Sequence, residues 1–218
     1  RQVRQELRQV NELRAVVSLY SEAIAEMEAH RWDSALSILQ QIEADQPGYG
    51  DVAERIQFIQ SQQELSTYFE QAEAAFAKGD YEQAIKSYEM LQSLNSNFQS
   101  GNVQEHLFLS YLQLGLAEEA AAGSNVKRLQ SALEHFDKAL ALRPGDSQAR
   151  GESKLLRLYL TSQDAFESEN WPQVIADLTT VYEARPDFAG GGAAQRLYEA
   201  YVAWGDELFE REEAEDAL

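Results

Sequence analysis

Apolar residues recur every three or four positions along most of the chain, and no long stretch alternates with a period of two. A spacing of three and four places side chains on one face of an α-helix, whereas alternation indicates a strand. The pattern therefore predicts an all-α protein. The stretch KGDYEQAIKSYEML illustrates it, because Tyr81 is followed at helical spacing by Ala84, Tyr88 and Leu91.

Four segments share this arrangement. Each begins at an anchor residue and has apolar residues three, seven and ten positions later; the anchors are Trp32, Tyr81, Leu129 and Trp171. Successive anchors are 49, 48 and 42 residues apart, and Pro47, Pro144 and Pro186 each follow an anchor by 15 residues. Proline after an apolar helical segment is a helix stop signal. Similarity at such a period is typical of stacked repeat proteins.

A further amphipathic segment precedes each of these helices, as in ELSTYFEQAEAAFAKGD and LLRLYLTSQDAFESENW. The predicted unit is thus a helical hairpin, which must stack on its neighbours to bury its apolar face. The region Asp51–Lys78 is predicted to be one helix throughout, with Asp51 as its N-cap.

The N-terminal segment is predicted to form one long amphipathic helix. Its apolar residues are spaced by threes and fours: Val3, Leu7, Val10, Leu13, Val17, Tyr20, Ile24 and Met27. The second half pairs with the helix that begins at Trp32, and residues 1–14 extend beyond it. That extension is either a solvated continuation or a coiled-coil arm that makes a homodimer.

The stretch AEAAFAKGDYEQAIKSYEMLQSLN resembles the tetratricopeptide repeat (TPR) family. The matching residues are Ala72, Gly79, Asp80, Tyr81, Ala84 and Tyr88. WDSALSILQQIEADQP, ALEHFDKALALRPGD and WPQVIADLTTVYEARP look like second helices of the same family. The resemblance implies a right-handed superhelical solenoid of antiparallel helical hairpins.

The repeat units are expected at residues 12–50, 51–98, 99–146 and 147–188, with an incomplete unit at 189–218, all in a single TPR-like domain. They are longer than the family's usual length of about 34 residues. In the third unit Gly115 and Ala120 match the family's turn, but the following helix begins later, so the loop is expected at Ala122–Asn125. At the C-terminus the resemblance implies a close-packing Gly205, a turn near Arg211 and a second helix containing Ala217. We expect further repeats or a capping helix downstream, in a longer parent protein.

The family resemblance also implies a concave groove, lined mainly by first helices, that binds extended peptides or helices. The positions twelve residues before the aromatic anchors Trp32, Tyr81 and Trp171 are Tyr20, Phe69 and Tyr159, and the corresponding position in the last unit is Val202. The positions five residues before are Met27, Phe76 and Phe166, with Phe209 in the last unit. Flanked by Glu73, Asp206 and Glu210, these side chains suit a peptide with apolar anchors and basic flanks. The alternative is that single rings pack between adjacent hairpins. The Lys and Asn with which some family members grip a carboxylate are not matched here.

The net charge of −19 opposes binding to nucleic acid or to an anionic membrane surface. It either steers a basic partner or only keeps the protein in solution. No apolar run approaches the roughly 20 residues of a membrane span. The chain has no cysteine, which excludes disulfides and thiolate metal sites. The compartment stays open, with the cytoplasm slightly favoured.

The sequence offers no constellation for catalysis, a metal or a cofactor. His30, His106 and His135 lack the spacing of a zinc pair. Ser124 and Lys127 fit Ser-x-x-Lys without the partner motifs of that hydrolase class. The glycines at 190–192 follow a helix rather than a strand and have no lysine among them, which is typical of a hairpin connection and not of a phosphate loop.

The sequence therefore predicts a non-catalytic protein-interaction scaffold that binds a peptide or helix of a partner in its groove. The alternative is a structural, regulatory or dimerising segment of a larger signalling protein, whose groove is occupied by its own chain or by a second copy. Occupancy of the groove by residues 1–14 or by the C-terminal helix would favour this alternative.

Overall fold

The computed structural model describes residues 2–216, with side chains from 3 to 212. Over this range the chain is helical and has no strand, which confirms the all-α prediction. The α-helices are α1 (Gln2–Glu28), α2 (Trp32–Asp45), α3 (Val52–Ala77), α4 (Tyr81–Leu94), α5 (Ser100–Ala122), α6 (Val126–Leu142), α7 (Ser147–Glu167), α8 (Trp171–Ala184) and α9 (Gly192–Asp216), and a 3-10 turn (Phe188–Gly191) precedes α9. The single helices expected for the N-terminal segment and for the region after Asp51 are present as α1 and α3.

Long and short helices alternate along the chain. Helices α1, α3, α5 and α7 have 21–27 residues, and each is followed by a helix of 14–17 residues. Helix α1 packs on α2, and from α5 to α9 each helix packs on the next. This sequential packing supports the helical hairpins inferred from the apolar pattern.

The shared apolar pattern marks the buried face of every short helix. All twelve residues at three, seven and ten positions after the anchors have 0% exposure: Ala35, Leu39, Ile42, Ala84, Tyr88, Leu91, Ala132, Phe136, Ala139, Val174, Leu178 and Val181. Burial of each large side chain in this set contributes about 1.5–3 kcal/mol. The apolar pattern repeats because each short helix buries the same face away from water.

Three hairpin turns have the same backbone geometry. His30, Gly79 and Glu169, each two residues before an anchor, have φ values of 56°, 76° and 57°. The next residue's N–H donates to a carbonyl five residues earlier, at 2.8–3.0 Å, as in the bond from Asp80 to Ala75. A left-handed residue followed by such a bond is the Schellman motif that ends many helices. The structure thus repeats a turn as well as a pair of helices.

The turn between α5 and α6 is different. It consists of Gly123–Asn125, inside the predicted loop, and the Asn125 side chain caps α6 by accepting from the Arg128 N–H at 3.2 Å. Gly115 and Ala120, which match the family's turn in sequence, lie inside α5. Gly115 instead lets α6 approach, because a Cβ there would lie 3.0 Å from the Phe136 ring.

The chain divides into two compact units, which we describe separately. The first contains the residues up to Gln71 together with Leu91–Phe98. Its core brings Val16 of α1 together with Leu39 of α2 and Ile59 of α3. The second unit contains Ala72–Met90 and the residues from Gln99 onward. Its largest fully buried side chains are Tyr88, Tyr159, Phe108, Phe136 and Phe188.

The prediction of a turn near Arg211 is wrong. Helix α9 runs without interruption from Gly192 to Asp216. The residues around this point are good helix formers, and Arg211 pairs with Glu207 one turn earlier at 2.5 Å, so nothing local ends the helix. A Cβ on Gly205 would meet nothing within 4 Å, and Ala217 lies outside the described residues. Of the helices in residues 2–216, none combines the length and apolar content needed to cross a membrane.

Candidate functional site

The predicted groove residues all lie on long helices. Tyr20 and Met27 are on α1; Phe69, Glu73 and Phe76 are on α3; Tyr159 and Phe166 are on α7; Phe209 is on α9. Six of these eight belong to three side-chain clusters. The clusters also contain ionisable residues that the sequence analysis did not select.

The first cluster, in the first unit, consists of Tyr20, Met27, Asp51 and Arg55. The Tyr20 hydroxyl donates to Asp51 Oδ1 at 2.5 Å, and Arg55 Nη2 lies 2.8 Å from Asp51 Oδ2. The Arg55 guanidinium lies 5.6 Å from the centre of the Tyr20 ring and 3.9 Å from Met27 Sδ. The hydrogen bonds from Arg55 and Tyr20 lower the pKa of Asp51. Asp51 therefore ties α1 to α3 with its side chain, while its carbonyl accepts the N–H of Arg55.

The second cluster, in the second unit, consists of Glu73, Phe76, Tyr88 and His106. The His106 ring stacks on Phe76, with centroids 4.5 Å apart and an angle of 8° between planes. Glu73 Oε1 lies 2.7 Å from His106 Nδ1 and accepts from the Tyr88 hydroxyl at 2.6 Å. Burial, and then the hydrogen bond to Glu73, raise the pKa of Tyr88. Glu73, predicted to flank the groove, is thus engaged by two neighbouring side chains.

The third cluster, also in the second unit, consists of Tyr159, Phe166 and Arg196. The Arg196 guanidinium lies 5.1 Å from the centre of the Phe166 ring, which meets Trp171 edge to face at 5.2 Å. Tyr159 is 1% exposed and its ring packs 5.5 Å from Phe188. Burial raises the pKa of Tyr159, and the Arg196 cation opposes this rise. The cluster lines a pocket of about 390 Å³ together with Ser124, Gly192, Gln195 and Glu199.

The three clusters repeat one arrangement. An apolar side chain near the end of a long helix, Met27, Phe76 or Phe166, is contacted by a nitrogen-bearing side chain of the next long helix. These are Arg55, His106 and Arg196, which follow 28, 30 and 30 residues later. That spacing was the sequence signal that could have identified them.

The third cluster differs from the other two in its charge balance. Asp51 accompanies Arg55 and Glu73 accompanies His106, whereas no carboxylate within residues 3–212 forms an ion pair with Arg196. Glu199 lines the same pocket but accepts a hydrogen bond from Gln195 at 2.9 Å. Arg196 is therefore a half-buried cation held by aromatic rings in a chain of net charge −19.

The two remaining predicted residues stand apart from these clusters. Phe69 is half-buried and meets Phe98 edge to face, with centroids 6.2 Å apart. Phe209 is 62% exposed. Val202, the other candidate in the last unit, is also exposed, and both lie on the open side of α9.

A buried ion network lies elsewhere in the second unit. Arg185, directly after α8, pairs with Glu119 of α5 and Glu152 of α7. The two carboxylates are only 8% and 16% exposed, and the guanidinium lies 5.3 Å from the Phe188 ring. Burial, followed by repulsion from Glu152, raises the pKa of Glu119. The network connects α5, α7 and the end of α8, and therefore contributes to the packing of these helices against one another.

A cavity of about 690 Å³ lies in the first unit beside the turn after α1. Its lining includes His30, Trp32, Asp33 and Gln63, and it is an open polar depression apart from the three clusters. In residues 3–212 no three His, Asp or Glu side chains converge as a metal site would require. Neither the known protein-family models nor the curated proteins include a match to this chain.

Proposed function

We propose that this chain is a TPR-like helical-repeat scaffold without catalytic activity, which binds a peptide or helix of a partner protein on its long helices. The observation that carries the proposal is the third cluster, where a pocket lined by Phe166 contains an arginine that forms no ion pair with a carboxylate of residues 3–212. Aromatic residues and arginine are the side chains most enriched among binding hot spots.

The pocket's chemistry suggests what the partner offers there. Phe166 provides an apolar wall. Arg196 favours an acidic group of the ligand, because it is partly desolvated and has no carboxylate partner among the side chains that the structure describes. Asp206 and Glu210 lie further along α9 with exposed side chains, so basic residues of the same peptide would be favoured on that side. The ligand would thus combine an apolar side chain, an acidic group and a basic flank.

One observation bears on the alternative in which the chain occupies its own groove. Every side chain from 3 to 15 is exposed, so this stretch of α1 does not cover a groove in the structure. The exposed apolar residues on the same stretch nevertheless favour a role in assembly, which is compatible with peptide binding.

The proposal is tested with peptides selected from a displayed random library. Affinities of the selected peptides are then measured by fluorescence anisotropy for the wild type, for Arg196→Gln and for Arg211→Gln. The last is a matched control, because the same charge is removed from an exposed position of the same helix. We expect Arg196→Gln to weaken binding by about tenfold or more and the control to change it less than about twofold.

Circular dichroism and the melting temperature show whether both variants retain the fold. Failure to select any peptide, or equal affinities for the two folded variants, would contradict a binding site at the third cluster.

A further inference from the structure

Helix α1 has an exposed apolar face that is separate from the face it packs on α2. We call it the α1 stripe; its residues, 46–69% exposed, are Val3, Leu7, Val10, Leu13 and Val17. Val16 is 5% exposed and Val17 is 52% exposed, although they are neighbours. Since successive residues are about 100° apart around a helix, the stripe faces away from the α1–α2 contact. It spans 15 residues, or about 21 Å.

Helix α9 has a second face of the same kind. The α9 stripe consists of side chains that are 45–70% exposed: Tyr198, Tyr201, Val202, Leu208 and Phe209. Ala200 is fully buried on the opposite side of the helix. Gly205 lies in the middle of the stripe with open space around it, so it forms a notch in which another helix could approach closely. The stripe is about 17 Å long, close to the length of the α1 stripe.

The segments that carry the two stripes have opposite net charge. Residues 3–17 contain three arginines and two glutamates, which is a net charge of +1 in a chain of −19. Gly205–Asp216 contains seven acidic residues and one arginine, which is a net charge of −6. Arg4 and Arg8 lie in the first turns of α1, and the acidic residues of α9 are concentrated towards its C-terminal end.

We propose that this protein associates head to tail, with the α1 stripe of one copy docked antiparallel on the α9 stripe of a second copy. An antiparallel arrangement places the first turns of α1, with Arg4 and Arg8, beside the acidic C-terminal end of α9, and it also orients the two helix dipoles favourably. Pairing of α9 with α9 would bring two segments of net charge −6 together, and pairing of α1 with α1 would leave that acidic segment without a basic partner. Neither homotypic pair satisfies both the apolar faces and the charges.

This contact is heterologous, so each copy keeps one free stripe and the association continues into larger oligomers or closes as a ring. Two stripes of this length bury roughly 1,000 Å² in total, which is at the low end for specific interfaces. The assembly is therefore weak and grows with protein concentration in the micromolar range and above.

Sedimentation velocity of the full chain and of two variants tests the proposal. The first variant, Leu7→Gln with Val10→Gln, removes the α1 stripe; the second, Tyr198→Gln with Phe209→Gln, removes the α9 stripe. All four side chains are exposed, so circular dichroism should show unchanged helicity. We expect the wild type to form oligomers and each variant alone to be monomeric. An equimolar mixture of the variants should form a dimer and nothing larger, because it contains one intact α1 stripe and one intact α9 stripe per pair.

The other outcomes each overturn the proposal. If the α9 variant dimerises alone, α1 pairs with α1; if the α1 variant dimerises alone, α9 pairs with α9. A wild type that stays monomeric up to submillimolar concentration means that another partner covers these stripes. None of these results would affect the peptide-binding proposal, which depends on Arg196 and Phe166.

Discussion

Substitution of Gly115 by alanine should separate two effects that act on the same residue. In an open position of a helix this change stabilises by about 1 kcal/mol, because alanine has the higher helix propensity. A Cβ at Gly115, however, would lie 3.0, 3.1 and 3.2 Å from three carbons of the Phe136 ring. Favourable carbon contacts lie at about 3.5–4.0 Å, and Phe136 has 0% exposure, so its ring cannot turn away into solvent.

Overpacking of this kind costs about 1–3 kcal/mol, so Gly115→Ala should be neutral or destabilising by up to about 2 kcal/mol. The matched control is Gly151→Ala in α7, where a Cβ would meet nothing within 4 Å and the full propensity gain is expected. Thermal unfolding should place the control above Gly115→Ala by about 1–3 kcal/mol, at roughly 2–4 °C per kcal/mol. Adding Phe136→Leu should recover part of the loss at Gly115. Equal stabilisation by the two alanines would refute the close approach of α5 and α6.

Arg185→Leu should lower the free energy of unfolding by about 2–3 kcal/mol, because Glu119 and Glu152 then face each other without a cation. This value is already reduced for the partial exposure of the guanidinium. Because burial raises the pKa of Glu119, its folded state holds the proton more tightly than the unfolded state. The urea midpoint of this variant should therefore rise as the pH falls from 7 towards the usual pKa range of a glutamate. Equal midpoints at the two ends of this pH range would contradict the burial of Glu119 as the cause. Glu169→Gly should raise the free energy of unfolding by about 0.5–1 kcal/mol. Glu169 has a left-handed φ of 57°, and glycine removes the backbone strain of that conformation. This gain exceeds the loss that comes from the greater conformational entropy of glycine in the unfolded chain. Ser168→Gly, at φ −93°, is the control that should destabilise, and similar melting temperatures for the two would count against strain in the turn.

The site was predicted less completely than the core. Sequence spacing selected Phe166 and Tyr159, but it ranked Tyr159 as a groove residue although its ring is buried against Phe188. It did not select Arg196, because the spacing of 30 residues from Phe166 acquires a meaning only once the packed side-chain pairs are known. Its role depends on the Phe166 ring beneath it and on the lack of a carboxylate partner among the described residues, and both depend on how two distant helices pack.

Local chemistry determined the elements of this protein. The apolar spacing after Trp32, Tyr81, Leu129 and Trp171 identified the short helices and their buried faces, because a helix buries one face wherever it packs. Tertiary structure decided what periodicity leaves open. Helix α9 continues past Arg211, where the family resemblance implied a turn, and Gly115 packs against Phe136 within a helix instead of forming a turn. The charge environment of Arg196, and the stripes left exposed on α1 and α9, likewise follow from which neighbour each helix has, and a linear pattern does not specify that neighbour.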